Sequence, residues 1–252
     1  MAFDNILKSI ISDFSEDKSN FLYISLPKQL IEKTPDLVKD TSFSVINLTR
    51  NFAPIKPFMQ ILKECNPSEE IINQNSYSLQ QETIQEYLLK GKAKERRDFI
   101  NHEEVFFEKT RITQTVSTII RNLCDKNYVI QNAQELSIEA IEIIKSLEKH
   151  RFSGKIIFCF DNEKIEKSST ELQAFIDEKH KQNNFYEITN NEKFESKELS
   201  IKESIPTFDI LYNSLRDCRL LFSLDQGKAL SKWIISNIDS LKFSKKQKRL
   251  IH

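Results

Sequence analysis

The side chains of this chain that could bind phosphate or a metal ion follow three short apolar runs. They are a cation–hydroxyl pair, an amide pair and an acid–amide pair: Lys33 and Thr34, Gln131 and Asn132, Asp161 and Asn162. A lysine can contact phosphate oxygens and a hydroxyl can hold Mg²⁺, whereas an amide oxygen is an uncharged and weaker metal ligand. Because α/β sheets bind ligands at the carboxyl ends of their strands, the candidate nucleotide-binding residues are Lys33, Thr34, Asn132 and Asp161.

The stretch PKQLIEKT at residues 27–34 has the spacing of the phosphate-binding loop GxxxxGK[ST]. Pro27 and Glu32 stand at its two glycine positions, and none of the chain's three glycines lies in this stretch. Proline removes a backbone donor, and a carboxylate about 4 Å from a phosphate charge costs roughly 1–4 kcal/mol. The alternative is that Lys33 and Thr34 form a solvent-facing pair at the start of a helix.

Alternating strands and helices are predicted for the first 190 residues. Runs rich in β-branched and aromatic residues predict five strands, at 21–25, 43–48, 128–130, 155–160 and 185–188. Amphipathic spacing predicts helices at 3–13, from 29, from 58, and at 103–123, 138–147 and 168–181, with Ser137 as an N-cap. This order predicts a three-layer α/β/α fold with a mostly parallel sheet.

The rest of the chain has a different pattern. Residues 189–205 are charged and linker-like, which predicts a boundary near 195–206. Two helices, at 208–222 and 228–238, are predicted to follow and to be joined by a turn at SLDQG. We therefore expect a domain over residues 1–195 and a short all-helical segment over residues 206–252.

Three stretches in this order resemble the P-loop ATPase domain of the signal-transduction ATPases with numerous domains, which are related to the AAA+ proteins. They are PKQLIEKT, YVIQNAQELS and SGKIIFCFDNE, and NLTRNFAPIKPFMQIL adds a partial match. The resemblance covers residues 1–190 and implies a P-loop-NTPase-like fold. In a working ATPase of this family, the positions of Gln131 and Asn132 would carry acids. The resemblance also implies a polar sensor at Asp161 and Asn162. Since the loop glycines and these acids are replaced, we expect a pseudo-ATPase without catalysis or cofactor, which binds protein partners in signalling or assembly.

Two other functions fit the same resemblance. One is a conformational switch that still binds ATP weakly through Lys33 and Thr34. The other is a subunit similar to the delta-prime subunit of clamp loaders, also AAA+, which would work on DNA within an oligomer; its usual cysteine cluster is absent here. Residues 206–252 would be the first helix pair of a tetratricopeptide-like array or the helical lid that follows the core of AAA+ proteins, and the chain could belong to a longer multidomain protein.

Composition restricts the partners. Lys+Arg and Asp+Glu number 37 each, so the chain has no net positive charge to attract nucleic acid or anionic lipid. The basic cluster at residues 92–97 could meet phosphates, but it contains an acid and is more typical of a solvated face. The amino terminus lacks an export pattern and no apolar run could cross a bilayer, which predicts the cytoplasm. There the four scattered cysteines are expected to be reduced core residues, with no metal site.

Overall fold

The chain forms a five-stranded, all-parallel sheet with helices on both faces. The structure is a computed structural model that describes residues 2–48, 55–75, 102–150, 152–182, 184–188, 207–220 and 224–238, with 240, 241, 243, 244 and 247. The sheet comprises β1 (Phe21–Leu26), β2 (Phe43–Asn47), β3 (Asn127–Gln131), β4 (Ile156–Asp161) and β5 (Phe185–Glu187). Its strand order is β2-β3-β4-β1-β5.

Nine α-helices are found in the described part of the chain. They are α1 (Ala2–Glu16), α2 (Lys28–Val38), α3 (Lys56–Cys65), α4 (Glu69–Asn75), α5 (His102–Leu123), α6 (Ile138–Lys149), α7 (Thr170–Lys181), α8 (Phe208–Leu220) and α9 (Leu224–Asn237). Ser137 and Ser169 begin α6 and α7, and each side-chain oxygen accepts a hydrogen bond from a backbone N–H of the first turn. The N-cap predicted at Ser137 is confirmed.

Alternation along the strands divides the apolar side chains between two cores. In β1, Phe21 and Tyr23 face a core shared with α3 to α7, whereas Leu22 and Ile24 face a core shared with α1 and α2. Nearly every strand residue of β1, β3 and β4 is buried, as expected when helices cover both faces of a parallel sheet. The predicted three-layer α/β/α fold with a parallel sheet is confirmed.

Some predicted boundaries are wrong or lie outside the described residues. The turn predicted at SLDQG is wrong, since α9 begins at Leu224 and includes Gly227. Helix α2 continues through Pro35, although proline lacks the N–H that a helix interior needs. The expected linker at 189–205, the basic cluster at 92–97 and part of the stretch NLTRNFAPIKPFMQIL lie outside the described residues. The division into two domains stays a prediction, although α8 and α9 share a small core of their own around Leu211, Leu230 and Ile234.

Gly154 is required by a close approach between backbone segments at the amino edge of the sheet. A Cβ added there would lie 2.2 Å from the Lys126 carbonyl oxygen and 2.9 Å from Cζ of Phe152. The same glycine offers its own carbonyl oxygen to the Asn20 amide, at 2.8 Å. A substitution at Gly154 must therefore displace backbone, not merely a side-chain end.

We expect Gly154→Ala to lower the free energy of unfolding by about 1–3 kcal/mol, measured by urea denaturation. The matched control is Gly227→Ala in α9, where the nearest atom to the new Cβ is 3.4 Å away. Alanine is the better helix former, so the control should leave stability unchanged or raise it by up to about 1 kcal/mol. Equal changes for both variants would contradict the assigned clash.

The expectation that all four cysteines are reduced is wrong for two of them. Cys65, at the end of α3, and Cys124, directly after α5, form a disulfide, with Cα atoms 5.9 Å apart. Cys159 and Cys218 are free and buried. The pairing was missed because the two cysteines are 59 residues apart in the sequence and belong to different helices, so only the packing of α3 against α5 brings them together.

None of the helices in the described residues combines the length and apolar character needed to cross a bilayer.

Candidate functional site at the carboxyl edge of the sheet

The strand order places a topological switch between β1 and β4. From β1 the chain crosses toward β2 at one end of the sheet, whereas from β4 it crosses past β1 to β5 at the other end. Ligands of open α/β sheets bind outside the carboxyl ends of the strands at such a point. We therefore take this edge as the candidate site.

Uncharged polar side chains link the strands along this edge. We call the set the edge network, and its members are Ser25, Asn47, Asn132, Gln134 and Asn162. Through side-chain and backbone contacts it runs from β2 to β3, from β3 to β4, and from β4 to both β1 and β5. These amide and hydroxyl groups thus bond to one another and to the backbone at the edge where a ligand would bind.

Asn132 joins β3 to β2. Its Nδ2 donates to Oδ1 of Asn47 at 3.0 Å, and its Oδ1 accepts from Nε2 of Gln134 at 3.2 Å. Asn132 has φ 58° and ψ 43°, the left-handed region that asparagine tolerates better than most residues. An aspartate here could not donate to Asn47 as this amide does.

Gln134 connects two of the predicted site residues. Its Oε1 accepts from the backbone N–H of Asp161 at 3.0 Å while its Nε2 donates to Asn132. Gln134 is not among the predicted site residues, because it lies in the 3₁₀ turn after β3 and not at the strand end. The structure therefore brings Asn132 and Asp161 to one network, through a residue that the strand-end pattern does not indicate.

Asp161 is buried, at 1% exposure, and its two carboxylate oxygens differ in their hydrogen bonding. Oδ1 accepts the backbone N–H of Glu163 at 3.1 Å, a local turn contact. Oδ2 accepts no hydrogen bond from the described residues, and Nζ of Lys164 lies 3.7 Å from it. The nearby Glu135 has its pKa raised by burial, an effect that the positive charge of Lys164 opposes. The buried carboxylate at the end of β4 therefore has a cation of the same chain, Lys164, beside it.

Asn162 ties the two strands at the switch point to the edge strand β5. Its Oδ1 accepts from the hydroxyl of Ser25, its Nδ2 donates to the Ile188 carbonyl at 2.9 Å, and its backbone N–H donates to the Leu26 carbonyl at 3.1 Å. Both polar ends of its side chain thus have partners within the chain.

Gln131 supplies a hydrogen-bond donor that α2 lacks. Pro35 has no N–H, so it cannot donate to the carbonyl of Ile31 four residues earlier in the helix. The buried Nε2 of Gln131 donates to that carbonyl instead. A glutamate at this position would set a carboxylate against the carbonyl, so Gln131 acts here as a hydrogen-bond donor that fixes α2 on the sheet.

We expect Gln131→Leu to lower the free energy of unfolding by roughly 1–3 kcal/mol, because the Ile31 carbonyl would be buried without a donor. In a Pro35→Ala background, the new alanine could supply the missing helical N–H. The same Gln131→Leu change should then cost less, and a double-mutant cycle by urea denaturation measures the difference. An equal cost in both backgrounds would show that Gln131 does not compensate for Pro35.

Lys33 and Thr34 do not lie in a loop. The connection from β1 to α2 is Pro27 alone, and α2 begins at Lys28, so the pair falls in the second turn of the helix. Lys33 is exposed, whereas Thr34 is fully buried and its hydroxyl donates to the Leu30 carbonyl at 2.9 Å. The alternative of a solvent-facing pair at a helix start is thus also wrong for Thr34, and both residues stay predictions as nucleotide contacts.

No group of three or more His, Cys, Asp or Glu side chains among the described residues is arranged to hold a metal ion.

Comparison of the chain with protein-family models, curated proteins and solved structures found no match.

Proposed function

We propose that this protein is a non-catalytic pseudo-ATPase module, which acts by binding a protein partner in signalling or assembly. The observation that supports it is the edge network. At the switch point, where an α/β fold of this topology would hold a ligand, the amides of Asn132, Gln134 and Asn162 are satisfied by one another and by the backbone.

The geometry of α2 gives further support. A phosphate-binding loop needs several backbone N–H groups free to wrap the phosphates. Here α2 begins one residue after β1, and the N–H groups of Leu30 and Ile31 already donate to the Pro27 carbonyl, at 2.9 and 3.3 Å. Lys33 would have to act without that cradle, as a surface lysine on the second turn of a helix.

Calorimetric titration with ATP and ADP, each with and without Mg²⁺, tests the proposal. We expect no heat of binding up to millimolar nucleotide for the wild-type chain, where a Kd of about 1 mM corresponds to only about −4 kcal/mol. Lys33→Ala is the informative variant, and Lys28→Ala is its control because Lys28 is also exposed on α2.

Micromolar binding that Lys33→Ala abolishes and Lys28→Ala preserves would reject the pseudo-ATPase and support a nucleotide-dependent switch. Co-purification with replication subunits would instead support a subunit of the clamp-loader kind.

For the compartment we propose the cytoplasm, on the sequence pattern alone. The Cys65–Cys124 disulfide is the observation that argues against it, because such bonds are rare where thiols are kept reduced.

A further inference from the structure

The Cys65–Cys124 disulfide lies at the end of the molecule opposite the edge network. The carboxyl ends of α3 and α5 meet there, near the amino end of β3, which begins at Asn127. The bond closes a chain segment that contains α4, whose Ile72 is fully buried in the core beside α5. It therefore holds α3 and α4 against α5 without contacting the carboxyl edge.

The two cysteines of the bond differ in exposure. Cys124 is 2% exposed, whereas Cys65 is only partly buried, next to Asn66, which ends α3 in the left-handed conformation. A thiolate in solution can reach a disulfide sulfur only where it is accessible. In the folded protein Cys65 is thus the more accessible of the two cysteines to an attacking thiolate.

We propose that Cys65–Cys124 is a thiol–disulfide exchange site, opened in the folded protein by a dithiol reductant. One thiolate of the reductant attacks Sγ of Cys65, forming a mixed disulfide and expelling Cys124 as a thiolate, which takes a proton from water. The second thiol of the reductant then displaces Cys65, leaving two protein thiols and an oxidised, cyclic reductant. The electrons balance, because the reductant loses the two that the protein disulfide gains.

The two free cysteines provide an internal comparison. Cys159 is buried in β4, and burial raises the pKa of its thiol to about 12, so little reactive thiolate forms. Cys218 is 3% exposed within α8. Both should resist alkylation in the native state, so alkylation after reduction reports on Cys65 and Cys124.

The experiment exposes the native full chain to dithiothreitol without denaturant, followed by alkylation and peptide mass spectrometry. We expect two alkyl groups, on Cys65 and Cys124, and restoration of the disulfide after a disulfide oxidant replaces the dithiothreitol. Amide hydrogen exchange should rise by about tenfold or more in α3 and α4 and stay unchanged in β4 and α6. Cys65→Ser/Cys124→Ser, in which reductant has no bond to open, is the control and should show no response to dithiothreitol.

Resistance of the bond to dithiothreitol until denaturant is added would overturn the proposal and leave a purely structural cross-link. Alkylation of Cys159 or Cys218 at the same rate would also overturn it, since reduction would then accompany unfolding. A rise in amide exchange spread evenly over the sheet would overturn it as well, since the bond would then open only with unfolding of the domain.

Discussion

Glu148→Ala is expected to lower the free energy of unfolding by about 3–5 kcal/mol in urea denaturation at neutral pH. Oε2 of Glu148 on α6 accepts from Nζ of Lys179 on α7 at 2.7 Å, and Oε1 accepts from the Tyr23 hydroxyl on β1 at 2.6 Å. The Lys179 side chain is only 3% exposed. Removing the carboxylate leaves a buried ammonium, with Gln182 Oε1 as a weaker partner at 3.2 Å.

The same two helices supply a matched control. Lys145 on α6 and Glu178 on α7 form an ion pair at 3.0 Å, but each side chain is 43% exposed. Solvent screening limits such a pair to about 0–1 kcal/mol, so Glu178→Ala should change stability little. The decisive variant is Glu148→Ala/Lys179→Met. It removes the buried ammonium that has lost its carboxylate partner, and it should be more stable than Glu148→Ala alone. If the double variant is less stable, charge burial is not the cause.

This cluster also gives a pH dependence. Burial raises the pKa of Tyr23 well above 10.0, and the neighbouring Glu148 charge adds to the effect. Because the pKa of Tyr23 is higher in the folded than in the unfolded state, folding favours the neutral hydroxyl. The stability that this hydroxyl contributes is fully present below pH 10 and is lost as pH rises above that. Tyr23→Phe should therefore flatten the decline of unfolding free energy above about pH 10, and an unchanged slope would contradict this assignment.

Loss of the Cys65–Cys124 bond is expected to lower the free energy of unfolding by about 4 kcal/mol, from the loop-closure entropy of a 59-residue segment. The measurement is urea denaturation of the oxidised wild type and of Cys65→Ser/Cys124→Ser. Reductant should destabilise the wild type and leave the double variant unchanged. An oxidised wild type no more stable than the double variant would mean that native strain cancels the entropic effect.

Strands β1, β3 and β4 were predictable because their burial requires continuous apolar runs. All five predicted strands are present and each boundary is displaced by at most one residue, since runs such as IIFCF have no helical period. Helix ends were predictable where a side chain caps them, as Ser137 does for α6. The start of α9 was missed because Gly227 and its neighbours have turn composition, yet packing against α8 holds them in a helix.

The candidate site was predictable in position but not in its bonding. The strand-end pattern led to Asn132 and Asp161, because parallel strands end at one edge. It could not show that Gln134 connects them, since that requires the fold of the turn after β3. One signal was available: Pro35 leaves the Ile31 carbonyl without a helical donor, which calls for a donor from elsewhere, and Gln131 supplies it.

The side-chain bonds described above for the edge network join groups that carry no net charge: amides, a hydroxyl and a backbone carbonyl. Mobile ions do not screen such bonds as they screen ion pairs, and the groups do not titrate between acid and alkaline conditions. These neutral bonds should therefore persist across changes of salt and pH that would weaken the Asp161–Lys164 ion pair at the same edge. A partner that bonds to these amides would exchange one neutral hydrogen bond for another, so this part of its affinity would depend on shape and be nearly indifferent to ionic strength.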